Sequence, residues 1–171
     1  MKIFIGADHR GYELKEQLKS WLEAMGHAIV DCGNSDLDPG DDYPDFAIAV
    51  GEKVAASMAS NNRVTKGDDS QHQNQSASAD QGLGIVICGS GVGASIAANK
   101  VVGVRAGQAL SSKEVEHARS RDQINVLSLS ADYLGLDQAK KLVQTFLTTK
   151  IAGNEKDERR IEKISRYESL S

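Results

Sequence analysis

The chain has 171 residues, a formal net charge of −4, 40% hydrophobic and 26% charged residues, which suits one soluble domain with a full core. The acidic balance gives no basic field for nucleic acid, no apolar run approaches the ~20 residues of a membrane span, and the apolar start Met1–Gly6 is too short for a signal peptide; the expected location is the cytoplasm. Two cysteines, Cys32 and Cys88, make neither a disulfide framework nor a zinc site, so each is expected as a free thiol, whose plainest role is a small buried hydrophobe.

In chain order, Lys2–Gly6 reads as a strand, and Arg10–Met25 carries Leu14, Leu18, Trp21, Leu22 and Met25 at helical spacing. A second strand is expected over His27–Asp31. Tyr43–Ser60 then places Phe46, Ala47, Val50, Val54 and Met58 on one helical face. Leu83–Cys88 is an apolar strand and Val92–Lys100 a short Ala-rich helix. Val104–Ala109 is a strand, followed by a helix over Ser112–Arg121 capped by Ser111 or Ser112. Asn125–Leu129 is the fifth strand, Gly135–Lys150 a long amphipathic helix, and Glu155–Leu170 a charged helical tail.

Five β-α units in series imply a parallel sheet, because parallel strands need crossover connections. Right-handed crossovers favour an α/β, doubly wound, Rossmann-like or flavodoxin-like five-stranded sheet with helices on both faces. Residues 1–150 form this domain and 151–171 the tail, which is expected to dock on a partner subunit. Residues 61–81 hold almost nothing apolar and cannot bury enough surface to offset their ordering entropy. They read as a flexible loop, either an inert insertion or a lid.

In such sheets ligands bind outside the carboxyl ends of the strands. The most informative run there is Gly84–Ser95, a buried strand ending at Cys88, then a turn with Gly89, Gly91 and Gly93, then a helix. The glycines let backbone N–H groups approach an anion, and the helix N-terminus adds positive partial charge. The run has neither the spacing of a dinucleotide fingerprint nor a Walker-type Lys-Ser/Thr. A thiol at such a place has a lowered pKa and can act as nucleophile or proton-transfer base, while the turn amides stabilise an oxyanion. Abstraction of a proton alpha to a carbonyl, through an enediolate, uses both; a structural Cys88 is the competing reading. Asp8 and His9 converge on the same edge, unless Asp8 merely caps the first helix and His9 is only exposed. Asp42-Tyr43-Pro44-Asp45 reads chiefly as a helix start.

Taken together these motifs resemble the ribose-5-phosphate isomerase B family, which includes galactose-6-phosphate isomerase. The matching pieces are Gly6–Gly11, Asp42–Ala47, Ile87–Lys100, Val104–Ala106, Asn125–Leu127 and Arg160–Ile164. They occur in order and span nearly the whole chain apart from 61–81. The resemblance implies an aldose–ketose isomerase of phosphorylated sugars, ribose 5-phosphate to ribulose 5-phosphate first among them, without metal or cofactor. It implies Cys88 as the base between C1 and C2. Ser90 and the amides of Gly89, Gly91, Val92 and Gly93 match the enediolate cradle, Asp8 and His9 match substrate contacts, and Arg160 matches a phosphate-binding residue. Family members are dimers, some paired into tetramers, with each site completed by the neighbouring subunit.

Three positions depart from the family pattern. Arg121 stands where a ring-opening His is expected, Asp132 where an Arg is expected, and Lys156 where a second phosphate-binding Arg is expected. Arg is a poor acid–base group, Asp132 repels a phosphate unless it is paired, and Lys156 loses the bidentate fork. The joint change suggests that Arg121 and Asp132 pair with each other. His117, four residues before Arg121 on the same helical face, is a candidate ring-opening group or a solvent-facing His. These departures leave open a diverged enzyme for another sugar phosphate, or a weakly catalytic ligand-binding homologue. The sheet alone also permits a flavin or nucleotide module, against which stands an aromatic content of 5%.

Overall fold

The structure, a computed structural model, describes residues 1–64 and 82–170. The strands are β1 (Lys2–Ala7), β2 (Ala28–Asp31), β3 (Leu83–Cys88), β4 (Ala106–Gln108) and β5 (Val126–Ser130). The helices are α1 (Tyr12–Ala24), α2 (Tyr43–Val64), α3 (Val92–Ala98), α4 (Ser112–Arg121), α5 (Leu136–Thr148) and α6 (Glu155–Glu168). The sheet order is β2-β1-β3-β5-β4 and every pairing is parallel. This is the doubly wound α/β sheet expected from the sequence, with β1, β3 and β5 adjacent at its centre.

The side-chain period of two decides where each strand residue goes. Ile3, Ile5 and Ala7, with Ile85, Ile87, Leu127 and Leu129, pack beneath α1 and α5 alongside Leu18, Leu22, Leu142 and Phe146. The alternate residues Phe4, Val86, Cys88 and Val126 pack beneath α2 and α3 with Ala47, Val50, Val54, Ala94 and Ala98. Burial on both faces explains why β3 reads as an unbroken apolar run.

Several boundaries differ from the sequence reading. α2 continues to Val64, so the polar segment taken as a loop from residue 61 begins inside a helix; its remainder, 65–81, lies outside the described residues. β4 is only three residues long; ahead of it the Arg105 amide donates to the Asn125 side-chain oxygen at 2.8 Å and not to a strand carbonyl. Ser111 is the N-cap of α4 and forms a capping box with Glu114, which satisfies two of the helix's orphan amides. Asp8 does not cap α1: Gly11 holds the N-cap position. The Asp8 carboxylate instead accepts from the amides of Arg10 and Gly11, at 3.1 Å each, closing a turn ahead of the helix.

Candidate active site

β3 delivers Cys88 to the carboxyl edge of the sheet at its centre. The chain then turns through Gly89–Gly91 into α3. Gly91 has φ +79, the left-handed region where a side chain is strained, so the reversal depends on glycine there. Serines of β5 fix the turn. Ser130 donates to the Gly89 carbonyl at 2.7 Å and Ser128 to the Gly91 carbonyl at 2.6 Å, both bonds buried. The amides of Ala131 and Asp132 donate to the carbonyls of Cys88 and Gly89. At the far side the Gln108 amide donates to the Ser90 carbonyl at 2.5 Å. With its carbonyls tied down, the turn is held in one conformation.

Cys88 is 3% exposed and packs on the α2/α3 layer. Its sulfur accepts the Gly91 amide at 3.2 Å. Ser90 is exposed, and its hydroxyl accepts from the Val92 amide. Among the described residues the Ser90 amide donates to no acceptor. α3 is seven residues long, so the helix dipole anticipated from the sequence is that of two turns only, and the turn amides carry most of the polarity. A β-carbon on Gly93 would stand 2.6 Å from Cζ of Tyr43. The Tyr43 ring therefore lies against the turn, which gives the segment read chiefly as a helix start a place at the site.

β1 supplies the opposite wall. The His9 amide and ring Nδ1 both face Asp41 Oδ1, at 2.8 and 2.9 Å, and the Asn34 amide holds the other Asp41 oxygen at 3.1 Å. The hydrogen bond to Asp41, aided by the charge of Asp8, raises the His9 pKa above 6.5 against the opposing effect of burial. His9 is thus oriented, not merely exposed.

Arg121 and Asp132 do not pair. Asp132 binds Arg10 through Nη2, at 2.7 and 2.8 Å to its two oxygens, while Arg121 binds Asp157 of α6 at 3.1 Å. The reason is topological: Asp132 follows β5 at the carboxyl edge, where the loop after β1 carries Arg10, whereas Arg121 ends α4 beside the tail. Arg160 lies in the tail with its guanidinium on Asp157 at 3.2 Å, and Lys156 is exposed there. His117 is exposed on α4, 3.8 Å from Asp122. No described hydrogen bond or ion pair joins His117, Lys156 or Arg160 to the Cys88 turn of the same chain. Asp8, His9, Cys88, Ser90 and Gly89–Gly93 therefore share one edge, and the tail cations do not. Arg10, Asp41 and Tyr43 belong to that edge and were not singled out from the sequence. The signal for Tyr43 was its place just before Pro44 at a helix start; Arg10 and Asp41 carried none beyond adjacency to the strand end and loop.

The ribose/galactose isomerase family profile matches residues 3–65 and 70–164. The chain is 33% identical over 168 residues to ribose-5-phosphate isomerase B of Mycobacterium tuberculosis, covering 98% of this chain and 90% of that protein. Ribose-5-phosphate isomerase B from Mycoplasma genitalium, solved with bound ribulose-5-phosphate, superposes with a TM-score of 0.82 at 38% identity over 99% of this chain and 97% of that one. The Clostridium thermocellum ribose-5-phosphate isomerase B gives a TM-score of 0.82 at 34% identity over 99% of each chain. With matches this long in sequence and in fold, the chain belongs to the ribose/galactose isomerase family.

Proposed function

We propose that the chain is a cytoplasmic aldose–ketose isomerase that interconverts ribose 5-phosphate and ribulose 5-phosphate, with Cys88 as the base. The observation that carries the reading is the Cys88–Gly93 turn: a sulfur at the end of the central strand that accepts the Gly91 amide, with the exposed Ser90, whose own amide has no acceptor among the described residues, beside it. Ionised Cys88 Sγ takes the proton from C2 of the open-chain aldose. The C2–H electrons form the C1=C2 bond, and the former carbonyl electrons pass to O1. The enediolate oxygen accepts from the Ser90 amide and hydroxyl. The Cys88 thiol returns the proton to C1, C2=O forms, and the O2 proton moves to O1, so no outside oxidant or reductant is consumed. Asp8 and His9 orient the sugar hydroxyls.

The tail cations fit this reading if two chains share each site. Arg160 and Lys156 have no contact with their own Cys88 turn and project from the exposed side of α6, so we place them at the phosphate of a partner's substrate in a homodimer. Arg121, locked to Asp157, positions α6 and is no acid–base group. His117 has the wrong surroundings for ring opening within its own chain, and ring opening proceeds without it.

Replacing Cys88 by Ala should lower turnover by about 10²–10⁴-fold and abolish exchange of the C2 proton of ribose 5-phosphate with heavy water. Turnover undiminished in that variant would refute the role. A diverged substrate choice is favoured by one observation, the Arg10–Asp132 pair at the mouth, and a panel of phosphorylated aldoses and ketoses would reveal it as a higher kcat/KM for another sugar.

A further inference from the structure

We propose that Arg10 binds the substrate's phosphate and that Asp132 is the positioning residue that holds the guanidinium in place; the inference rests on the isomerase reading above. Arg10 lies three residues past the end of β1, and its side chain lies across the Gly89 turn. A β-carbon on Gly89 would stand 2.5 Å from Arg10 Nε, 2.9 Å from its Cδ and 3.0 Å from Asp132 Oδ2. Glycine at 89 therefore admits the ion pair onto the backbone of the catalytic turn, where any side chain would expel it.

The pair leaves the cation usable. Both Asp132 oxygens are spent on Nη2. Among the described residues Nε and Nη1 donate to no acceptor, although a guanidinium carries donors on all three nitrogens. Arg10 is 55% and Asp132 35% exposed, so the pair contributes little to folding. What the pair does accomplish is to fix a long side chain that would otherwise sample many rotamers. Binding then loses less conformational entropy.

The placement selects the phosphate over the reacting carbons. Ile87 points into the α1/α5 layer and Cys88 into the α2/α3 layer. Gly11, beside Arg10, packs on Ile87, where an added β-carbon would stand 2.8 Å from its Cγ2. The Arg10 guanidinium thus lies against Gly89, on the face opposite to the one into which Cys88 packs but near enough to feel the charge of Cys88. An aldose phosphate with C1 and C2 at the sulfur carries its phosphate at the opposite end of the carbon chain, and it reaches the guanidinium by lying across the strand end.

The test is calorimetric titration of ribose 5-phosphate into the full-length Cys88→Ala chain, which binds without turning over, with and without Arg10→Ala. Loss of charge-assisted hydrogen bonds predicts a Kd raised roughly 10- to 100-fold, partial recovery in Arg10→Lys, and a smaller dependence of Kd on salt. Asp132→Asn should raise Kd in the Arg10 background and change nothing further in Arg10→Ala. In the otherwise unaltered enzyme Asp132→Asn should raise KM while kcat stays within about twofold. A Kd unmoved by Arg10→Ala, tighter binding in Asp132→Asn, or no measurable binding at all overturns the proposal. The two readings fail separately. Binding through Arg10 without C2 proton exchange in the unaltered chain would sink the isomerase reading and leave this one standing, and turnover with a KM indifferent to Arg10→Ala would do the reverse.

Discussion

At the scale of single residues, His9 gives the sharpest pH handle. Asp41 accepts from both its amide and its ring, and that hydrogen bond raises the His9 pKa above 6.5. A group whose folded pKa is raised lends stability below its unfolded value and loses it as pH climbs through the folded one. The His9–Asp41 ion pair is therefore complete below about pH 6.5 and fades above it. Asp41→Asn should lower the His9 titration midpoint in an NMR titration of the ring protons, and any fall of substrate affinity with rising pH that His9 causes should move down with it. An unchanged midpoint would mean that Asp41 only holds the backbone. Cys88, Asp8 and His9 stood out in the sequence as candidates because their chemistry stands next to a strand end. Arg10 was not, since its partner Asp132 is 122 residues away, and Asp41 sits in a polar run where nothing distinguishes it from Asp38 or Asp42.

At the scale of elements, α1 is anchored by a charge that helical periodicity leaves unmarked. Lys15 is 0% exposed, yet its ammonium meets Asp31 at 2.8 Å, the Asn34 carbonyl at 2.8 Å and Glu16 at 2.9 Å. Burial pushes the Asp31 carboxyl up, but hydrogen bonds from Lys15 and Lys19 outweigh it and hold the carboxyl below 3.8. Its contribution is accordingly present above pH 3.8 and lost as pH falls through the lower folded value. The two partners are not equivalent. Asp31→Ala leaves a fully buried ammonium with only Glu16 and the Asn34 carbonyl and should lower unfolding stability by about 3 kcal/mol, whereas Lys15→Met leaves Asp31 with Lys19 and should cost about 1 kcal/mol. Urea unfolding of both variants decides it, and equal losses would show that the apolar stem of Lys15 matters more than its charge. The same cation reaches the site indirectly, because it fixes the Asn34 segment whose side chain steadies Asp41. Apolar periodicity located all five strands and six helices to within a few residues. It failed at α2, where the polar residues 61–63 still continue the helix to Val64, and at β4, where Val104 is buried although the ladder does not begin until Ala106.

At the scale of the whole molecule, parallel order brings β1, β3 and β5 side by side, and that alone unites Asp8, Cys88 and Asp132 from three distant parts of the chain. The alternation of strands and helices made the sheet legible in the sequence. The position of α6 was not, because its charged surface has no apolar stripe that names a docking place within the chain. α6 is tied to the α4 side by Asp157 on Arg121 and by Glu168 on the Gly103 amide. Val92 and Ile96 of α3, with Val102, remain exposed, as does the outer face of α6 with Ile164 and Tyr167. A symmetric pair of chains covering these faces would carry Arg160 to a site it cannot reach alone. The proposal has a numerical consequence. At substrate concentrations well below KM, Cys88→Ala chains should be nearly inactive for want of a base and Arg160→Ala chains strongly impaired for want of one of the phosphate's cations. When the two are mixed and allowed to exchange subunits, half the dimers are mixed. Each mixed dimer pairs one intact Cys88 site with the partner's intact Arg160, so about a quarter of all sites become whole. Recovery of roughly that fraction of the unaltered activity requires Arg160 to act across the interface. If Arg160 serves its own chain's site, every site in the mixture still lacks one of the two groups, and mixing restores nothing.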